Sequence, residues 1–303
     1  MRFNPKARID PSQVEARGGG GSLGGGGMRL PLPSGGGGQL GVGGLVVLVL
    51  FFVVSQCAGV GPDLVPGGGS GSGSAESCQT GEDANKSDEC AVRLFTESVQ
   101  NYWGKALQEQ GGPAYDVTST VTFSGQTDSA CGTAASQMGP FYCPNDKKVY
   151  VDSTFFDQML EGQLGAEGGP FSIGYVIAHE YGHHIEDQLG ILARMRTQQG
   201  PKSDGVKVEL MADCLGGMWA KEALTTTDTE GTQIISELTP DDIARAIDAA
   251  QAVGDDRIQK RSSGRVNPEQ WTHGSAEQRQ HWFNVGLKEG SLEACNTFAP
   301  GAL

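Results

Sequence analysis

The sequence predicts a mostly helical α+β domain, preceded by one transmembrane helix and a disordered, glycine-rich tail. Three observations predict it. Apolar residues recur at helical spacing along most of the chain after residue 78, with two strand-like stretches among them. No charged residue occurs between Arg29 and Asp63, a window that contains the run LVVLVLFFVV. Of the 47 glycines, 22 fall in the first 74 residues, which leaves the rest with an ordinary globular share.

Residues 1–39 read as a cytoplasmic tail, because the glycine runs at 18–21, 24–27 and 35–38 cannot bury apolar surface. Residues 40–60 are long enough to cross a bilayer core of roughly 30 Å as a helix. Basic residues dominate before that run, so the amino end is expected in the cytoplasm and the chain beyond it outside. The expected location is the cell membrane, single-pass, with the folded domain extracytoplasmic. A cleaved signal peptide is the competing reading. Its weak points are the long lead and the poor small-x-small site around Ser55-Gln56-Cys57. Residues 61–77, with GGGSGSGS at 67–74, make a flexible linker, and the domain occupies 78–303.

Within the domain, Val92, Phe95, Val99, Trp103 and Ala106 mark an amphipathic helix over 88–109. Val117, Ser119, Val121 and Phe123 alternate as in a strand, and 147–152 follows a Pro-Asn-Asp turn as a second one. Residues 155–164 read as a short helix. Pro170 opens a long apolar helix that Gly190 ends. Another helix covers 205–224. Thr239-Pro240-Asp241-Asp242 is a helix start with an N-cap, a proline at N1 and acids in the first turn. Ser275 and Gln278 form a capping-box pattern for a last helix that ends near Gly290.

The formal charge of the whole chain is −14, and the first 74 residues are net basic, so the domain is strongly acidic. A nucleic-acid partner needs a basic face to meet phosphates, and is therefore excluded. Seven cysteines suit an oxidising compartment. Cys57 lies at the membrane run, which leaves six. Cys78 and Cys90 flank one polar loop, Cys131 and Cys143 another, and Cys214 and Cys295 then pair at long range. A buried free thiol at Cys214 is the alternative.

The chemistry lies in Ala178-His179-Glu180-Tyr181-Gly182-His183-His184. On a helix His179 and His183 are one turn apart, so both imidazoles reach one zinc ion, while Glu180 beside them takes a proton from a metal-bound water. A catalytic zinc needs a third protein ligand. Glu209 and Asp213 project from one face of the next helix. Glu209 is assigned to the metal and Asp213 to the spare ring N–H of a ligand histidine. The reverse assignment stays open, since zinc accepts either carboxylate.

These residues resemble the gluzincin arrangement, HExxH followed by a helix with ExxxD. The strings from His179 to Asp187, from Glu209 to Cys214 and from Ser275 to Arg279 are similar to those of the bacterial putative neutral zinc metallopeptidase family. Residues 1–21 and the stretch Phe141-Tyr142-Cys143-Pro144 to Asp152 fit the same pattern. The resemblance implies a zincin-like metallopeptidase domain with a small β element, one zinc per chain and a peptide or protein substrate. Met211 stands where a polar residue is expected, and the glycine-rich lead is longer than usual. A metzincin is excluded, because Glu186 and Leu189 replace the glycine and histidine it needs. An intramembrane protease is excluded too, because Glu186 and Asp187 follow the motif at once.

The expected reaction is attack of a zinc-activated water on a peptide carbonyl, with Glu180 as general base and then as donor to the leaving amine. His273, Tyr181 and His184, in that order, are candidates to stabilise the oxyanion. His273 lies in a loop before a helix, a place that suits either a cleft or plain surface. His281 is read as structural. The strand Val149 to Asp152 either offers an edge to an extended peptide or lies in the core. Two other functions compete: a binding or scaffold module that keeps zinc for structure, and a zinc amide hydrolase acting on a non-peptide or cell-wall substrate.

Overall fold

The computed structural model describes residues 1–17 and 78–303. The expected membrane helix, the glycine runs and the linker lie outside the described residues. Among the described residues no helix is long and apolar enough to cross a membrane. In chain order the strands are β1 (Arg2–Phe3), β2 (Val14–Arg17), β3 (Thr120–Phe123), β4 (Gln126–Ser129), β5 (Gly132–Ala135), β6 (Phe141–Cys143), β7 (Lys148–Asp152) and β8 (Ile235–Glu237). The α-helices are α1 (Gly81–Ala84), α2 (Asp88–Glu109), α3 (Pro170–Gln188), α4 (Asp204–Glu222), α5 (Pro240–Ala252), α6 (Asp255–Ser263) and α7 (Ala276–Glu289). The domain is mostly helical α+β, as its periodicities predict.

Helix boundaries follow the capping residues. Thr239 and Ser275 both make capping boxes, with Asp242 and Gln278 reaching back to the cap N–H. Gly290 closes α7 in the left-handed region at φ 67°. The segment Phe155–Gln163, expected as an ordinary short helix, is π-helical, and Leu164 N–H closes it on Met159 O at 2.8 Å.

Helix α3 lies at the centre, packed by α2, α4 and α5. Phe171 stacks on Trp219 at 5.4 Å, and Phe95 meets Trp219 edge-on at 5.9 Å. Two glycines set how closely the helices that carry the site approach. A Cβ on Gly182 would stand 2.9 Å from Ala212 Cα, so α3 and α4 touch backbone to backbone beside the motif. A Cβ on Gly286 would stand 1.8 Å from Cys214 O, which brings α7 equally close to α4. The disulfide Cys214–Cys295 then ties the chain after α7 to α4. Closing a loop of that length stabilises by on the order of 4 kcal/mol. Cys78–Cys90 and Cys131–Cys143 also form, so all three expected pairings are present.

The main sheet has the order β2-β3-β7-β6, parallel except for β6. The strand expected from Val117 starts only at Thr120, and Val117 is exposed. Alternation misled there because β3 is buried along its whole length. One face meets the helices through Thr120, and the other packs Val121 and Phe123 on Phe141, Cys143 and Tyr150. β7 lies between β3 and β6 and Val149–Asp152 is buried throughout, so this stretch is core rather than a free edge.

The amino end departs most from expectation. Residues 1–17, read as the start of a disordered cytoplasmic tail, form part of the domain. β2 pairs in parallel with β3 from Val14↔Thr120 to Arg17↔Phe123, and β1 pairs with β8. Phe3 is buried with its ring 4.8 Å from that of Phe95. Asp228 accepts the Arg8 N–H at 2.7 Å, and Arg93 donates to Val14 O at 3.4 Å. The amino end and the helices that carry the His-Glu-x-x-His motif and Glu209 therefore belong to one body, against the expectation that a bilayer separates them.

This docking is expected to depend on pH. Glu97 on α2 is buried and accepts the Asp10 N–H at 3.1 Å. Burial pushes it up to about 7; the Asp10 N–H opposes this, and the carboxylates of Asp10 and Asp228 add to it. A carboxyl raised above its unfolded value favours the folded state while protonated, so its contribution is lost as pH rises from about 4.5 through 7. Glu97→Gln is expected to raise the melting temperature more at pH 8 than at pH 5. Equal shifts at both pH values, read by calorimetry, would refute this.

Candidate metal centre

Helix α3 directs His179, Glu180 and His183 into a cavity of about 430 Å³ that Glu209 of α4 also lines. His179 and Glu209 are buried, and His183 is half-buried. The Nε2 atom of His179 lies 3.3 Å from Glu209 Oε2, and Nε2 of His183 lies 3.7 Å from Oε1 of the same carboxylate. One ligand atom from each of the three residues falls within 4.8 Å of the others.

The other ring nitrogens are held. His179 Nδ1 donates to Asp213 Oδ1 at 2.9 Å, and His183 Nδ1 donates to Glu186 Oε2 at 2.8 Å. Each carboxylate fixes the tautomer that leaves Nε2 free as a metal ligand. Four carboxyl groups, of Glu180, Glu186, Glu209 and Asp213, are buried around two imidazoles and one guanidinium. Burial, then the surrounding carboxylates, pushes Glu186 well above its usual range. A dication offsets such a concentration of negative charge, and two imidazoles with one carboxylate make a donor set suited to zinc.

Asp213 is saturated. Besides His179 it accepts Tyr175 Oη–H at 2.6 Å and a two-pronged Arg279 contact, Nε to Oδ2 at 2.8 Å and Nη2 to Oδ1 at 2.9 Å. Arg279 Nη2 also donates to Tyr175 Oη at 3.1 Å. The arrangement brings Glu209 to the two Nε2 atoms and leaves Asp213 behind His179.

Glu180 is buried at the cavity wall. Burial pushes it up to about 7, opposed by His179, Arg279 and the nearby Tyr142 backbone and reinforced by Glu209. A carboxyl in that range exchanges protons near neutral pH. His273 lines the same cavity. Asp255 shapes its loop, with Oδ2 accepting the N–H of Thr272, His273 and Gly274 at 2.8, 2.7 and 3.0 Å. Burial disfavours the His273 cation, but Glu209 and Asp255 outweigh it and raise its pKa.

The other oxyanion candidates are elsewhere. Tyr181 Oη shares a hydrogen bond with Thr120 in the core, and His184 is held between Tyr142 Oη and Asp116 O. Neither lines the cavity. At about 100° per residue, Tyr181 lies roughly opposite the His179–His183 face and His184 about 120° from it, on the far side of Glu180. His281 is exposed beside Trp282. Sequence reasoning missed Tyr175, Glu186 and Asp255 as site residues. Only Glu186 carried a local signal, its i,i+3 spacing from His183.

Comparison with known proteins gives three results. A family profile described as "putative neutral zinc metallopeptidase" matches residues 4–298. An uncharacterised protein of Mycobacterium tuberculosis H37Rv is 47% identical over 228 residues, covering 75% of this chain and 76% of its own. The uncharacterised protein YpfJ of Escherichia coli K12 is 37% identical over 304 residues, covering 97% and 98%. No solved structure matches.

Proposed function

Since the chain belongs to the putative neutral zinc metallopeptidase family, we propose that it hydrolyses peptide bonds at a zinc held by His179, His183 and Glu209. The observation that carries this reading is the convergence of both Nε2 atoms and the Glu209 carboxylate, with Asp213 and Glu186 behind the imidazoles. A purely structural zinc has four closed ligands and needs no base, whereas these three ligands open on a cavity beside Glu180.

The chemistry supplied by a zinc bound there is Lewis acidity toward a water and a carbonyl oxygen. Glu180 takes the proton of the attacking water and passes it to the leaving amine nitrogen. His273, whose loop Asp255 shapes and whose proton affinity Glu209 and Asp255 raise, donates to the carbonyl oxygen as negative charge develops there. β6 lines the cavity through Phe141 and Tyr142 and is an edge strand of the sheet. An extended substrate would pair along it. The same reading includes an extracytoplasmic location, supported by three disulfides, and membrane attachment through the apolar run at 40–60.

The test uses the purified full chain. It is expected to carry one zinc, to cleave a quenched fluorescent peptide library, to lose that activity on chelation and to regain it when zinc is returned. A zinc-loaded chain that cleaves cell-wall fragments and no peptide would replace this reading with the amide hydrolase.

A further inference from the structure

One wall of the cavity is not explained by the metal centre. It is formed by Val176 of α3, Phe155, Met159 and Leu164 of the π-helical segment and its end, Val253 after α5, and Ile258 of α6. The two sides of this wall are tied together, since Arg261, one turn after Ile258, donates to Gln163 O. None of the six carries a charge. The charged residues that line the cavity are those of the metal centre together with His273 and Arg279, and Arg279 is already paired with Asp213.

We propose that this wall is the specificity subsite of the enzyme, taking a large apolar side chain, such as Leu, Met or Phe, next to the scissile bond. The proposal rests on the peptide-hydrolysis reading. Position follows from helix geometry: Val176 precedes Glu180 by four residues, so the wall begins one turn from the base that acts on the scissile carbonyl. Chemistry follows from the lining. A charged substrate side chain would lose its hydration against this wall and meet no counter-ion. An aliphatic or aromatic one would cover Met159, Leu164, Val253 and Ile258, which are only half-buried. The flexible thioether of Met159 gives the subsite tolerance among apolar shapes. At about 430 Å³ the cavity also holds the backbone that flanks such a side chain.

The test is equilibrium binding to the zinc-loaded full chain, comparing leucine hydroxamate with glycine hydroxamate. These share the metal-binding group and differ in the side chain. The leucine compound is expected to bind at least about 10-fold tighter. Ile258→Asp is expected to remove that advantage while leaving glycine hydroxamate affinity and zinc content unchanged. Met159→Ala, at a half-buried position, serves the same purpose should the first variant fail to fold. Equal affinities in the wild type, or a variant that weakens both compounds alike, would overturn the proposal. Because binding needs no turnover, an apolar preference without cleavage of any peptide would uphold the subsite and count against the peptidase reading.

Discussion

Glu180→Gln is expected to keep one zinc per chain and to lose peptide hydrolysis by on the order of 10³-fold in kcat. The exchange is nearly isosteric. Glu180 is not among the three groups that converge on the metal position, so stoichiometry should not move. What disappears is a proton acceptor, buried and raised toward neutrality, beside the position of the attacking water. Metal analysis alongside single-turnover hydrolysis decides the matter. A variant that keeps its zinc and cleaves at the parental rate removes Glu180 from the mechanism, and one that loses its zinc makes Glu180 a ligand.

Glu209→Ala and Asp213→Ala are expected to fail in different ways. The first removes a group that both Nε2 atoms face, at 3.3 and 3.7 Å, and should leave a folded chain that no longer holds zinc against dialysis. The second leaves the metal set complete but strips the counter-ion from Arg279, which is 2% exposed. Breaking a buried pair by removing one partner costs about 3–5 kcal/mol. Losing the carboxylate behind a ligand histidine costs about 10–100-fold in metal affinity. Asp213→Ala should therefore show mainly as a lower melting temperature, with weaker zinc binding second. The double variant Asp213→Leu with Arg279→Met should recover stability and not zinc affinity. If Asp213→Ala melts like the parent, the Arg279 pairing carries none of the stability assigned to it.

The helices and their ends were legible because their signals are local. Thr239-Pro240-Asp241-Asp242 and Ser275 with Gln278 each spell a cap within four residues, and the structure makes both capping boxes. The three groups of the candidate metal centre were legible for the same reason, two being one turn apart on α3 and the third an acid on the next helix. What stayed hidden depends on pairing across long separations. β2 is four residues long, stands beside a glycine-rich stretch and pairs with residues 120–123, so nothing within its own window announces a strand. Arg279 was visible only as part of a string, and Tyr175 only as one more apolar residue. Their role emerges once Gly286 lets α7 close on α4. Tyr181 and His184 were misplaced although the wheel of α3 already separates them from the metal face.

The pairing of β2 with β3 also bears on how the chain can relate to a bilayer. Arg17 and Cys78 belong to the same folded body, so the sixty residues between them begin and end on one side of any membrane that body adjoins. Placing the amino end and the domain on opposite sides of a bilayer would require that β2 leave β3 and that Phe3 leave its place against Phe95. Proteolysis of intact cells therefore has a defined readout, because a tag before Met1 and a tag after Leu303 should become accessible together.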